Sequence, residues 1–292
     1  MFEQLVVTQL LKYHLIKQPY GGYFREHQTY NFEDNSYVDP ATEELRGTTV
    51  GNTVDNLTRY IAFPNIPLKN SLQAVMLGKQ IFESNFKRRK KGQAKLQKLF
   101  DKLPSLGRKI SKELIDIIVC FSYLSNMWRS GALEAAYKDF MNFDHLSETD
   151  YQHITILVER SVQLIEMLKK QYSKVYPNFR VEYDKNDIIW GDGDIITNEM
   201  IVDFKCWKYN PYIKDNITQQ VIYYLLGKNG INNTDIDFNE IKYLSLFDIR
   251  RNRLQFINVN DYQKELKYVQ ERLDQIALEQ NKIRQEFINS LK

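Results

Sequence analysis

Two short stretches, Trp190-Gly-Asp-Gly-Asp-Ile-Ile196 and Ile201-Val-Asp-Phe-Lys-Cys-Trp207, constrain this chain more than any other part of it. Each alternates with the period of a β-strand, and the few residues between them leave room only for a hairpin turn. A two-residue turn centred on Asn198-Glu199 sets Asp194 opposite Asp203 and Asp192 opposite Lys205. Alternation then places Asp192, Asp194, Asp203 and Lys205 on one face. Ile189, Ile195, Val202, Phe204 and Cys206 fall on the other face, which reads as a core surface. Like charges directly opposed destabilise a hairpin, so Asp194 against Asp203 calls for a compensating charge. A divalent cation shared by the two carboxylates supplies it, and Lys205 beside them balances charge and holds a water or a phosphate oxygen. The pattern is that of a hydrolytic metal site.

Three pieces follow one another in order: Gly191-Asp-Gly-Asp194, Asp203-Phe-Lys205 and Gln220-Val-Ile-Tyr-Tyr224. Together they resemble the PD-(D/E)XK nuclease superfamily in its RecB-like exonuclease branch. That pattern is a Gly-x-x-Asp strand, an Asp/Glu-x-Lys strand and a helix bearing Gln-x-x-x-Tyr. The resemblance covers roughly residues 180–260 and implies a restriction-endonuclease-like fold, a Mg²⁺ or Mn²⁺ cofactor and DNA as substrate. In its terms Asp194 and Asp203 are metal ligands, joined by the backbone carbonyl of Phe204, and Lys205 orients water or stabilises charge. Gln220 and Tyr224, one helical turn apart, position phosphate or water. Gln219 and Tyr223 offer the same spacing, so the helix register stays open by one residue. Asp192 competes with Asp194 for the metal, and the glycine spacing favours Asp194. The branch also presents a polar residue, often His, from a glycine-led first helix. The segment Gly47–Tyr60 resembles that helix and carries Asp55 in place of a histidine.

The type of metal also follows from the ligands, since carboxylate oxygens without clustered Cys or His suit hard ions such as Mg²⁺ and Mn²⁺. Two cysteines, Cys120 and Cys206, exclude a disulfide framework, a Cys-rich zinc site and a four-cysteine iron–sulfur cluster. The four histidines are scattered without ligand spacing, and no P-loop motif occurs. No apolar run is long enough to span a membrane and the N-terminus does not read as a secretory signal, so the expected location is cytoplasmic. Net charge is only +3, but positive charge clusters at Lys87, Arg88, Arg89, Lys90 and Lys91, with Lys95, Lys98 and Lys102 beyond. Such a cluster can track a phosphate backbone, and its alternative reading is a solvated helix face.

The chain reads as α/β, a small mixed sheet flanked by helices with a large helical section before it. Helices are expected at 2–17, from Gly47 to before Pro64, at Ser71–Phe86, Lys95–Leu103, Lys112–Met141 and Glu148–Tyr172, with a surface loop at 23–46. Strands follow from Asn178, then a turn at Lys185-Asn186-Asp187, the hairpin, a helix ending at Gly227, and strands at Ile241–Asp248 and Leu254–Val259. Four segments result: 1–69 with the first core helix, 70–177 as a helical subdomain, 178–260 as the nuclease core, and 261–292 as a terminal helix. The terminal stripe Leu266, Val269, Leu273, Ile276, Ile283 and Phe287 has near-heptad spacing. It reads as intramolecular packing, with a homodimer or protein-partner seam as the alternative. The expected function is metal-dependent hydrolysis of DNA phosphodiester bonds, exonucleolytic by its resemblance, in phage defence, mobile-element biology or DNA repair. The rival readings are an inactive member that binds nucleic acid or a partner, and an RNA nuclease.

Overall fold

The computed structural model describes residues 5–183 and 188–290 of a mixed α/β protein, in which a large helical section precedes β-sheets flanked by helices. The turn read at Lys185-Asn186-Asp187 lies outside the described residues. The chain opens with β1 (Leu5–Val6), α1 (Val7–Lys12) and β2 (Gln28–Asn31). The helical section comprises α2 (Gly47–Ala62), α3 (Leu68–Ser71), α4 (Gln73–Asn85), α5 (Lys90–Lys102), α6 (Lys112–Ser130), α7 (Leu133–Asn142) and α8 (Glu148–Gln171). After it come β3 (Val175–Tyr176), β4 (Phe179–Glu182), β5 (Ile189–Gly193), β6 (Ile195–Thr197), β7 (Met200–Lys205) and α9 (Lys214–Asn229). The last elements are β8 (Ile231–Asn232), β9 (Tyr243–Asp248), β10 (Arg253–Asn258) and α10 (Gln263–Ser290). No helix among the described residues is long and apolar enough to cross a membrane.

The chain divides into two compact units rather than the four consecutive segments read from the sequence. One is Met1–Asn35, Leu168–Lys205 and Tyr209–Lys292; the other is Ser36–Met167 with Cys206–Lys208. The N-terminal residues join the first unit because β2 pairs with β10, more than two hundred positions away. Its residues Gln28-Thr-Tyr-Asn31 are all exposed, so they carry no apolar alternation to betray a strand.

In the helical unit, Ser111 caps α6 by accepting a hydrogen bond from the Leu114 N–H. Gly131, at φ 67°, ends that helix in the left-handed conformation, which splits the single helix expected over 112–141 into α6 and α7. Ser147 Oγ accepts from the Asp150 N–H at the start of α8, as its cap position predicts. Helices α4 and α6 approach so closely at Gly78 that a Cβ there would overlap the Leu124 carbonyl.

The sheet unit holds two sheets. The larger runs β2-β10-β9-β7-β6-β3, with β7 and β9 parallel and its other pairs antiparallel. The smaller runs β1-β5-β4-β8. The β6–β7 hairpin has the register set by a turn at Asn198-Glu199: Ile195 pairs with Val202 and Ile196 with Ile201. Beyond it the sequence reading needs correction. The chain leaves one sheet for the other at Asp194, so β5 pairs with β4 and Asp192 lies opposite Arg180 instead of Lys205. Nor is one hairpin face wholly polar, since Ile196 and Ile201 are fully buried, as are Ile195 and Val202.

Rows of paired residues on the Asp203 face show where the core gives way to polar chemistry. The first row is Ile201, Leu244 and Ile257, buried with residues of α9 and α10 such as Val221, Val269 and Leu273. The next is Asp203, Leu246, Gln255 and Thr29. The last is Lys205, Asp248, Arg253 and Asn31. The α10 stripe follows the same logic: Leu266, Val269, Leu273 and Ile276 are buried in the core, whereas Ile283 and Phe287 further along are exposed.

The Gly78 contact yields a signed prediction. Helix propensity alone favours Gly78→Ala by about 1 kcal/mol, but overpacking against an immovable backbone carbonyl costs roughly 1–3 kcal/mol. Chemical denaturation is expected to find the alanine variant less stable than the parent; a more stable variant would mean that α4 and α6 are not packed this closely.

Candidate active site

Asp203, Phe204 and Lys205 close strand β7, and Asp194 sits where β6 begins beside them. β6 ends its pairing at Ile195, which leaves the β7 edge uncovered at Phe204. The Asp194 side chain takes over there, with its Oδ2 accepting the Phe204 N–H at 2.9 Å. The N–H and C=O of one strand residue point to the same side. The Phe204 carbonyl is therefore directed towards the edge that Asp194 covers. Extending the hairpin register by one pair puts Asp194 opposite Asp203, as read from the sequence.

Asp203 is 5% exposed. Lys205 Nζ lies 2.8 Å from its Oδ2 in an ion pair. Burial pushes the Asp203 carboxyl up from its ordinary 3.8 to about 6; the Lys205 charge pulls it down and the Asp194 charge pushes it up again. The mutual repulsion of the two acids, inferred from their pattern, thus acts at a buried position where it is weakly screened.

Helix α9 lays two consecutive glutamines against this group. Gln219 Oε1 accepts from Lys205 Nζ at 3.4 Å, and its Nε2 donates to the Tyr223 hydroxyl at 2.7 Å. Gln220 is fully buried; its amide helps hold the Asp203 carboxyl down, yet neither its oxygen nor its nitrogen makes a hydrogen bond of good geometry. An orphaned amide beside two acids marks a place for a polar guest. Of the two tyrosines, Tyr223 faces the acids: burial raises its pKa above the ordinary range, with the charges of Asp203, Asp194 and Asp192 adding to the effect. Gly191 makes room for it, since a Cβ there would overlap the Tyr223 ring. The Tyr224 hydroxyl instead accepts from Lys228 Nζ at 3.3 Å. The register left open by the sequence therefore resolves into a mixed set, Gln219 and Gln220 with Tyr223. A helix buried on nearly every side offers no polar face to single out one pair.

The remaining candidates lie in the helical unit. Asp55, on α2, binds Arg59 Nε at 2.7 Å. Among the described residues no group of three or more His, Cys, Asp or Glu side chains converges. Asp55, read from the sequence as a ligand, pairs with an arginine one turn on. Two carboxylates and a carbonyl still fit Mg²⁺ or Mn²⁺, because Mg²⁺ is commonly held through one or two carboxylates and keeps several waters. In the basic segment Lys87, Arg88, Lys90 and Lys91 are exposed. Arg89 is committed within the fold: it donates to both carboxylate oxygens of Glu134 and stacks over Tyr137, 4.4 Å from the ring centroid. Lys95 likewise donates to the carbonyls of Phe140 and Phe143.

Comparison with known protein families, characterised proteins and solved structures finds no match to this chain.

Asp203 supplies a pH test. Its folded pKa lies above the unfolded one, so folding takes up a proton between about pH 4 and pH 6. Its contribution to stability is full below that window and is lost as pH rises through it. Without metal, Asp203→Asn is expected to abolish this fall and to melt above the parent at pH 7.5. Thermal unfolding from pH 4 to 8 decides, and a variant that loses stability with pH as steeply as the parent would refute the assignment.

Proposed function

We propose that this chain is a metal-dependent nuclease that hydrolyses DNA phosphodiester bonds, with Asp194, Asp203 and Lys205 at its catalytic centre. The observation that carries the reading is the buried Asp203 carboxylate, ion-paired to Lys205 at 2.8 Å and raised by burial, with the charge of Asp194 across the strand edge adding to it. Two acids driven together in this way are stabilised by a cation. A bound Mg²⁺ or Mn²⁺ supplies polarisation of a phosphoryl oxygen and a more acidic water.

The chain's own residues divide the remaining tasks. Asp194, Asp203 and the Phe204 carbonyl hold the ion. Lys205, fixed in position by Asp203 and Gln219, serves a phosphate oxygen or the attacking water. The buried Gln220 amide, beside the Asp203 carboxyl, offers polar contacts to the same guest. Tyr223, kept protonated by its surroundings, accepts from Gln219 Nε2 and holds its own proton near the acids. The exposed Lys87, Arg88, Lys90 and Lys91 are assigned to phosphate contacts away from the reacting bond. Arg89 is left out of that set because Glu134 holds it.

The test is cleavage of linear and circular DNA, single- and double-stranded, with an RNA control, in Mg²⁺, Mn²⁺ or EDTA. Metal-dependent cleavage of DNA is expected, falling by at least about 100-fold in Asp203→Ala and in Lys205→Ala. Activity confined to linear substrates makes the enzyme an exonuclease. Cleavage of RNA alone would replace the substrate, and binding without cleavage under every condition would replace the enzyme with a binding protein. Neutralising Lys87, Arg88, Lys90 and Lys91 together is expected to weaken DNA binding and flatten its salt dependence; unchanged affinity would return the segment to a solvated helix face.

A further inference from the structure

The two parallel strands of the larger sheet end side by side, and their last residues, Lys205 and Asp248, are cross-strand partners. In open α/β sheets ligands collect in the crevice beyond such carboxyl ends. Asp248 is fully buried. A carboxylate in that position is costly unless it is paired, and here it is paired twice. Its Oδ2 takes Arg251 Nη1 at 3.2 Å and Arg253 Nε at 3.1 Å. Its Oδ1 accepts the Arg251 N–H at 3.3 Å. Asn210 Oδ1 fixes Arg253 further, accepting from Nη2 at 3.1 Å. Two guanidinium groups thus rest on one carboxylate, whose strand partner is Lys205. Both arginine side chains still reach solvent, at 26% and 23% exposure. Arg250, between them and the strand, is buried.

We infer that Arg251 and Arg253, fixed on Asp248, form a phosphate-binding subsite for a nucleotide adjacent to the one cleaved at the Asp194–Asp203 centre. The inference rests on the nuclease reading for the word adjacent, and on its own geometry for the subsite. Planar guanidinium groups match phosphate oxygens, and a buried anchor removes the side-chain freedom that binding would otherwise have to freeze. Reach is consistent as well. One to two strand spacings separate Lys205 from Asp248 and Arg253, roughly 5–10 Å. That span corresponds to one to three steps of a nucleic-acid strand at about 3.4 Å of rise each. In this role the arginines are positioning residues, with no part in bond breaking.

A pure bracing role for the β9–β10 turn makes a different prediction, and binding separates the two. Affinity of the full chain for a fluorescent single-stranded DNA is measured in EDTA, which prevents cleavage, across a range of salt. Arg251→Gln and Arg253→Gln are each expected to weaken binding several-fold and to lower the slope of log affinity against log salt by about 0.7. Arg253→Lys keeps the charge, so it should retain the slope even where it lowers the melting temperature. A glutamine variant that melts lower but binds with the parent's slope and affinity overturns the subsite. So does a parent protein that does not bind DNA at all. Slope loss in a protein that shows no cleavage supports the subsite while the nuclease reading fails; metal-dependent cleavage with an unaltered slope does the reverse.

Discussion

The repulsion between Asp194 and Asp203 organises everything around it. Asp203 cannot escape to water, because it lies within the row that follows the apolar contacts of Ile201, Leu244 and Ile257. Asp194 is held in place because it replaces a missing strand partner, accepting the Phe204 N–H that β6 would otherwise have taken. Each acid is therefore fixed by an ordinary demand of sheet formation, one by burial and the other by an edge hydrogen bond. Their opposition is a consequence that the fold cannot relax. Lys205 relieves part of it, and the Asp203 carboxyl is raised by its burial with the charge of Asp194 adding to the effect.

The supporting elements repeat this economy on a larger scale. Helix α9 fills the core with Ile217, Val221 and Leu225 and, on the same rigid body, carries Gln219, Gln220 and Tyr223 to the acids. Side chains presented by a packed helix and a central strand are held more firmly than loop residues can be. The β9–β10 turn is treated in the same manner, with the buried Asp248 anchoring arginines that a surface turn would leave mobile.

Much of this was legible in the sequence where local rules decide. The two-residue turn at Asn198-Glu199 determines its register, and that register brings Asp194 and Asp203 together without further information. The helix starts expected at Lys112 and Glu148 are those observed, where Ser111 and Ser147 cap the chain. What escaped depends on distant partners. Asp192 was assigned to the wrong neighbour because alternation cannot reveal that a strand changes sheets at Asp194. The polar β2 strand exists only through its pairing with β10. The choice between Tyr223 and Tyr224 is a rotation of about 100° on a helix with no exposed face. Gly131, by contrast, is a visible break, masked by the apolar periodicity on either side of it.

The passage of the chain between sheets at Asp194 has a mechanical meaning. β5 belongs to one sheet and β6 to the other, so the single residue joining them stands at a joint. Asp203 is anchored deep in the second sheet alone. Any sliding of one sheet against the other consequently appears as a change in the separation of two carboxylates. An ion gripped by both would act as a rivet through that joint, its binding energy added to the stiffness of the whole unit. Chemistry and rigidity would then be gained, and lost, together.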